Sequence, residues 1–139
     1  MSFILLLTPF SGVIIAQNEY VPSPENLESR QQFAQDRFGI FIHWGIYSML
    51  ANKEWVMQHQ GLEFNEYSQI AGGFFPSKFN AEEWVKVFKA AGAKYITFTS
   101  RHHDGFSMFD TSYSDFDIID ATPFKRDIVK ELSDAWADE

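Results

Sequence analysis

The chain has 139 residues, of which 45% are apolar and 17% aromatic, with a formal net charge of −8 and no cysteine. This length suits a single domain, and the apolar content is enough for a packed core, which excludes wholesale disorder. Nucleic acids and anionic membrane surfaces need clustered Lys and Arg, so the acidic excess argues against both as partners. Without cysteine, disulfides, thiolate nucleophiles and thiolate zinc sites are excluded.

Residues 1–16 have the pattern of a secretory signal peptide. The largely apolar, uncharged run from Phe3 to Ala16 has the length of a signal-peptide core and is shorter than the roughly 20 residues of a membrane-spanning helix. No Lys or Arg precedes this run, and Ile14 is larger than the residue preferred near a cleavage site, so a buried strand or a misplaced start is the alternative. We expect cleavage after residue 16, secretion or periplasmic export, and no membrane insertion.

Two helices are predicted in the first half of residues 17–139. Ser23 followed by Pro24 is a typical helix start, and this helix should run towards Gln35. A short helix ending at two consecutive glycines is indicated by apolar residues at helical spacing, namely Phe64, Tyr67, Ile70 and Ala71.

Two longer helices are predicted in the second half. Asn80 and Glu83 form a variant of the capping box, Phe79 and Trp84 form the flanking hydrophobic pair, and Gly92 is a typical stop signal. The last helix should bury one apolar face, made of Ile128, Val129, Leu132, Ala135 and Trp136.

Two buried strands are predicted between the helices, at Phe38–His43 and at Tyr95–Ser100. The short connection from the Asn80 helix into the second strand is typical of a βαβ unit, so the fold class is α/β. A loop of more than twenty residues follows, and loops of that length tend to carry function. We expect it to fold back on the domain through its apolar residues, which include Phe106, Met108, Phe109, Tyr113 and Phe116.

Three of the four histidines, His43, His102 and His103, lie at the carboxyl ends of the two predicted strands. In parallel sheets and barrels, residues at these ends face the ligand, so the pattern indicates a functional site. One alternative is a metal site that includes Asp104, but successive residues on a strand point to opposite sides, and the sequence has no HExxH or His-x-His motif. A second alternative, for any one histidine, is a satisfied core residue.

Carbohydrate is the ligand class that suits these residue types. Neutral imidazoles both donate and accept hydrogen bonds, and a sugar also needs a flat aromatic surface. Glu54 and Trp55, on the loop that leaves the first strand, offer a carboxylate beside an indole. Judged from the local sequence alone, Glu54 and Asp104 are the candidates for the carboxylate pair of a glycosidase.

Four blocks of sequence resemble the N-terminal part of the α-L-fucosidases of glycoside hydrolase family 29. In order, they are residues 38–48, Glu54-Trp55, residues 93–106 and residues 125–129. The resemblance covers about residues 30–135 and implies a (β/α)8 TIM-barrel-like catalytic domain without metal or organic cofactor. The two predicted strands would be its first two, so residues 17–139 would be the N-terminal part of a barrel truncated at the C-terminus.

The resemblance also implies roles for individual residues. Those that would bind fucose are His43, Glu54, Trp55, His102 and His103. Asp104 would support the histidine loop, and the catalytic nucleophile and the acid/base would lie beyond Glu139. Arg101 and Val56 depart from the family pattern, which often has lysine and tyrosine there.

The function that the resemblance implies is a retaining exo-α-L-fucosidase that acts on fucosylated glycans. The alternatives are a fucose-binding barrel without hydrolytic activity and a metal-dependent sugar enzyme. The carboxylates needed for hydrolysis are not expected within this chain, so the chain alone should be inactive.

Overall fold

The computed structural model describes residues 20–138, so the predicted signal peptide at residues 1–16 lies outside the described residues. The chain divides into two compact units, one up to Gln35 and one from Asp36 onward. The described part of the first unit contains helix α1, Pro24–Gln35. The backbone N–H of Asn26 donates to the Ser23 hydroxyl at 3.3 Å, which confirms Ser23 as the cap.

The second unit is built on a two-stranded parallel sheet, which confirms the α/β class. Strand β1, Ile40–Ile42, pairs with β2, Ile96–Phe98, with Ile40 opposite Ile96. Both strands are shorter than predicted from the sequence. The hydrogen bonds nevertheless extend past them, from Lys94 N to Phe38 O at 2.8 Å and from Thr99 N to Ile42 O at 3.0 Å. After β1, a 3-10 turn begins directly beyond Gly45, and after β2 a turn is closed between His102 and Gly105.

Short helices fill the segment between β1 and the next long helix. They are a 3-10 turn at Ile46–Leu50, helix α2 at Val56–His59 and helix α3 at Phe64–Tyr67, which continues as a 3-10 turn at Ser68–Gly73. The predicted short helix is therefore present, with its second half wound more tightly, as is common at helix ends. It buries Tyr67 and Ala71, whereas Phe64 is half exposed.

Two longer helices, α4 at Ala81–Ala90 and α5 at Ile128–Asp138, pack against each other. The predicted start of α4 is confirmed, because the Asn80 side chain accepts a hydrogen bond from Glu83 N at 3.1 Å and the rings of Phe79 and Trp84 lie 5.1 Å apart. Gly92 follows α4 with φ +89°, a conformation that glycine adopts without strain. The predicted apolar face of α5 is also confirmed, with Ile128, Leu132 and Ala135 buried.

The core lies on one side of the sheet. Ile42, Ile96 and Phe98 pack against it, whereas Phe41 is 68% exposed and its neighbour Thr97 is exposed too. Side chains alternate between the faces of a sheet, so the other face is open. The buried core of this unit consists of Ile46, Tyr47, Val56, Tyr67, Ala71, Phe74, Phe79, Ala81, Val85, Phe106, Met108, Ile118, Phe124, Ile128, Leu132 and Ala135.

The loop from Arg101 to Phe124 folds back on the core as expected, with Phe106 and Met108 buried. Tyr113 is the exception, since 94% of it is exposed. The buried carboxylate of Asp117 organises the loop by accepting hydrogen bonds from the backbone N–H groups of Thr111, Ile119 and Asp120. None of the helices in residues 20–138 is long and apolar enough to cross a membrane.

Candidate functional site

The three predicted histidines lie together at the carboxyl ends of the two strands. His43 directly follows β1 and His102 comes four residues after β2, and their ring centroids are 4.8 Å apart. His102 and His103 also lie side by side, with centroids 4.3 Å apart. Residues on an extended strand would point apart, but here Gly105 N donates to His102 O at 3.0 Å and closes a turn. This turn brings all three imidazoles into one cluster.

The predicted pair Glu54 and Trp55 joins this cluster from the start of α2. The indole of Trp55 stacks on the imidazole of His103, with centroids 3.7 Å apart and an angle of 14° between the rings. The Nε2 of His103 lies 3.0 Å from the backbone oxygen of Glu54. Because a carbonyl oxygen only accepts hydrogen bonds, His103 carries a proton on Nε2 and donates it. Trp55 remains 45% exposed, so one side of its ring is open.

Several buried polar atoms in the cluster have no hydrogen-bond partner among residues 20–138. They are Nδ1 of His102, Nδ1 of His103 and the hydroxyl of Tyr47. Buried polar groups in folded proteins are nearly always paired, and unpaired ones call for an explanation. Beside these buried atoms, the exposed imidazole of His43 and the partly exposed ring of Trp55 offer a ligand a hydrogen-bonding group and an apolar face.

Burial and hydrogen bonding shift the pKa values of two residues of the cluster, His102 and Glu54. Burial lowers the pKa of His102, and the positive charges of His103 and His43 lower it further, partly opposed by Asp104 and Glu54. The pKa of Glu54 is lowered too, chiefly by a hydrogen bond from its own backbone N–H and then by the three histidines. At neutral pH the site therefore combines a neutral His102 imidazole with a carboxylate at Glu54.

Asp104 has its oxygens on protein donors rather than in the cleft. It is 4% exposed, and it accepts hydrogen bonds from the Tyr67 hydroxyl at 2.7 Å and from Phe106 N at 3.1 Å. These bonds fix the turn that carries His102 and His103. The local hypothesis that pairs Asp104 with Glu54 for catalysis is disfavoured, because both Asp104 oxygens are already engaged.

An open cleft of about 200 Å³ borders the cluster. It is smaller than the roughly 300–1,000 Å³ typical of small-molecule pockets. Among residues 20–138 no group of three or more His, Asp or Glu side chains is arranged to hold a metal ion. The residues that line the cleft are His43, Tyr47, Ser48, Ala51, Asn52, Lys53 and Glu54.

Two residues of this region were not identified from the sequence. Tyr47 contacts the rings of His43 and His102, at 5.5 and 5.6 Å between centroids, and Tyr67 holds Asp104. Tyr47 lies four residues after His43, but the backbone between them is extended at Gly45, so their spacing along the chain gave no signal of this contact. Tyr67 was assigned only to the apolar face of a helix, and nothing in that pattern indicates its bond to a residue 37 positions away.

The comparison with known families decides the relationship. The family model described as Alpha-L-fucosidase matches residues 8–139. The chain belongs to this family. It is 40% identical to human plasma alpha-L-fucosidase in an alignment that covers 80% of this chain and 28% of the human protein. It is 35% identical to rat tissue alpha-L-fucosidase in an alignment that covers 87% of this chain and 30% of the rat protein.

Solved α-L-fucosidase structures share the fold of this chain. A GH29 enzyme from Bacteroides thetaiotaomicron, trapped as a covalent intermediate, superposes with a TM-score of 0.77 at 32% identity, covering 80% of this chain and 28% of that one. An α-L-fucosidase from Lactobacillus casei in complex with α-L-fucose superposes with a TM-score of 0.75 at 36% identity, covering 78% of this chain and 36% of that one. The chain thus spans about a third or less of the length of these relatives.

Proposed function

We propose that the protein is a retaining exo-α-L-fucosidase and that this chain supplies much of its sugar-binding wall. The observation that supports this most directly is that the rings of His43 and Trp55 both contact His102 at the carboxyl ends of two adjacent parallel strands. Ligands bind at that end in parallel α/β folds. Membership of the α-L-fucosidase family makes fucose the sugar to expect.

The proposed domain is a (β/α)8 barrel, of which residues 17–139 would form the first part. The open face of the sheet, with Phe41 and Thr97 exposed, is consistent with a barrel interior that further strands would cover. The chain matches only 28% of the human relative, which leaves room for six more strands in a full-length protein. The catalytic nucleophile and the acid/base would come from that remainder, about 5–5.5 Å apart as in retaining enzymes.

The roles proposed for the five site residues follow from their chemistry. His43, His102 and Glu54 would hold the sugar hydroxyls, and the exposed side of Trp55 would form an apolar wall. His103 would bind a hydroxyl by exchanging its bond to the Glu54 carbonyl for one to the sugar, because its other ring nitrogen is buried. Such hydrogen bonds accelerate hydrolysis to the extent that they strengthen as the sugar ring flattens.

The proposal extends to processing, location and partners. Removal of residues 1–16 would release a secreted or periplasmic enzyme, and its substrates would be fucosylated glycans or glycoconjugates. Export of the full-length protein from a secreting bacterium, followed by N-terminal sequencing, tests this. A mature protein that begins near Gln17 supports it, and an intact Met1 on exported protein contradicts it.

The decisive experiment is hydrolysis of an aryl α-L-fucoside by the full-length protein. His43→Ala should lower kcat/KM by roughly tenfold to a few hundredfold, because sugar hydrogen bonds in a dry site contribute about 1–3 kcal/mol. Glu63→Ala, at an exposed position before α3, is the matched control and should change little. Binding of fucose without hydrolysis would favour the alternative of a non-hydrolytic fucose-binding barrel. The absence of both fucose binding and hydrolysis would refute the proposal.

A further inference from the structure

The ring of Tyr47 is shared by two of the clustered histidines. It contacts the imidazole of His43 at 5.5 Å and that of His102 at 5.6 Å between centroids, and these two imidazoles contact each other at 4.8 Å. Tyr47 is 5% exposed, whereas His43 is exposed and His102 half-buried. The phenol ring therefore lies on the protein side of the histidine pair and supports both rings from below.

The backbone is shaped to admit this ring. A methyl group placed on Gly45 would lie 2.6 Å from Cε1 of Tyr47, a distance that van der Waals repulsion forbids. Gly45 is itself buried, and the 3-10 turn Ile46–Leu50 begins directly after it. The glycine that follows His43-Trp44 is thus explained by the space that Tyr47 occupies.

The hydroxyl of Tyr47 does not account for its position. It is buried and has no hydrogen-bond partner in the described part of the chain, in contrast to the Tyr67 hydroxyl, which donates to Asp104. Burial raises the pKa of Tyr47, and the charges of Asp104 and Glu54 raise it further, so this group stays neutral. A buried, unpaired hydroxyl costs free energy, so the contribution of this residue lies in its ring.

We propose that Tyr47 is a positioning residue of the sugar site, whose ring holds the imidazoles of His43 and His102 in one orientation and shields His102 from water. This inference rests on the proposed function for its meaning in catalysis. In the ligand-free protein, this shielding should keep the pKa of His102 low. The groups that influence the titration of His102 are His43, His103, Asp104, Glu54 and the Tyr47 ring beneath it.

The test compares Tyr47→Leu with Tyr47→Phe in the full-length protein. Tyr47→Leu removes the ring, so water reaches His102 and its pKa rises towards the ordinary value of 6.5. Tyr47→Phe keeps the ring and should keep the wild-type titration, followed through the ring ¹⁵N resonances of His102 without ligand. With an aryl α-L-fucoside as substrate, Tyr47→Leu should lower kcat/KM by about tenfold to a hundredfold. Tyr47→Phe should keep the wild-type kcat/KM.

Two further variants separate positioning from general stability. Gly45→Ala displaces the Tyr47 ring without removing it. It should therefore raise the pKa of His102, as Tyr47→Leu does. Val85→Ala removes a fully buried side chain on α4 and should lower Tm while leaving the His102 titration unchanged.

The proposal is overturned if Tyr47→Leu and Gly45→Ala leave the titration of His102 at the wild-type position. It is also overturned if Tyr47→Phe is as damaging as Tyr47→Leu, because the hydroxyl would then be the active part. If the wild-type protein hydrolyses no fucoside, the proposed function fails, while the titration still decides the role of Tyr47.

Discussion

The indole of Trp55 and the imidazole of His103 form a parallel stack, 3.7 Å between centroids, although the two residues are 48 positions apart in the chain. The same two segments are also connected by the hydrogen bond from His103 Nε2 to the backbone carbonyl of Glu54. One aromatic pair therefore connects the loop after β1 to the loop after β2. Because the stack holds residues that we assign to sugar binding, its loss should weaken the affinity for the sugar.

Removal of the indole should weaken substrate binding. Trp55→Ala removes both the apolar wall and the support of His103, and we expect KM for an aryl α-L-fucoside to rise about tenfold, the equivalent of 1.4 kcal/mol. Trp55→Phe keeps an aromatic face and should lose less. Tyr113→Ala, which removes an aromatic residue that is 94% exposed, is the control and should leave KM unchanged. Equal effects of Trp55→Ala and Tyr113→Ala would argue against a specific role for the stack.

The two buried tyrosines near the site should respond differently to loss of the hydroxyl. Tyr67→Phe removes the donor to Asp104 Oδ2 and leaves a buried carboxylate oxygen unpaired, so the free energy of unfolding should fall by about 1.5–3 kcal/mol. Tyr47→Phe removes a hydroxyl that has no partner and should change it little or raise it. Urea unfolding of the full-length variants measures both. A larger loss for Tyr47→Phe than for Tyr67→Phe would contradict the hydrogen bonding described above.

Stability should depend on pH through His102. Its folded pKa is lowered by burial, whereas in the unfolded chain it returns to about 6.5. As the pH falls below about 6.5, the unfolded chain binds a proton at this position that the folded protein does not, so the free energy of unfolding decreases. Above that pH the imidazole is neutral in both states and contributes no pH dependence.

The matched measurement is Tm as a function of pH for wild type, His102→Gln and His59→Gln. His102→Gln should lose less stability than wild type on acidification, because the group that takes up the proton is gone. His59 is exposed on α2, so His59→Gln should follow the wild-type curve. Parallel curves for wild type and His102→Gln would show that His102 is not protected from protonation in the folded protein.

The sequence predicted the elements better than the contacts between them. Local signals were sufficient for α4, where Asn80, Phe79 and Gly92 each act within a few residues of the helix end. The two strands were placed correctly but drawn too long, since strand length depends on where the neighbouring strand turns away. The apolar pattern of the long loop predicted that it folds back, yet it could not separate buried Phe106 from exposed Tyr113.

The site shows the same division between local and long-range information. The positions of His43, His102 and His103 at strand ends follow from the strand pattern. The turn that brings His102 and His103 together cannot be predicted from this pattern, because it depends on the bond between Asp104 and Tyr67, which are 37 residues apart. Tyr47 lay within a block that resembled the family, but its role depends on ring contacts that only the fold creates.

Isolated residues 17–139 provide the last test, because the proposed division of roles places the catalytic carboxylates outside them. Phe41 and Val87 are 68% and 65% exposed, so this piece should bind a dye that reports exposed apolar surface. It should release no fucose from an aryl α-L-fucoside, although it contains all five proposed binding residues. Release above background, retained after further purification, would place the catalytic groups within these residues. Glu54 would then be the leading candidate, with Asp104 freed from Tyr67 as its partner, and the assignment of both as non-catalytic would be wrong.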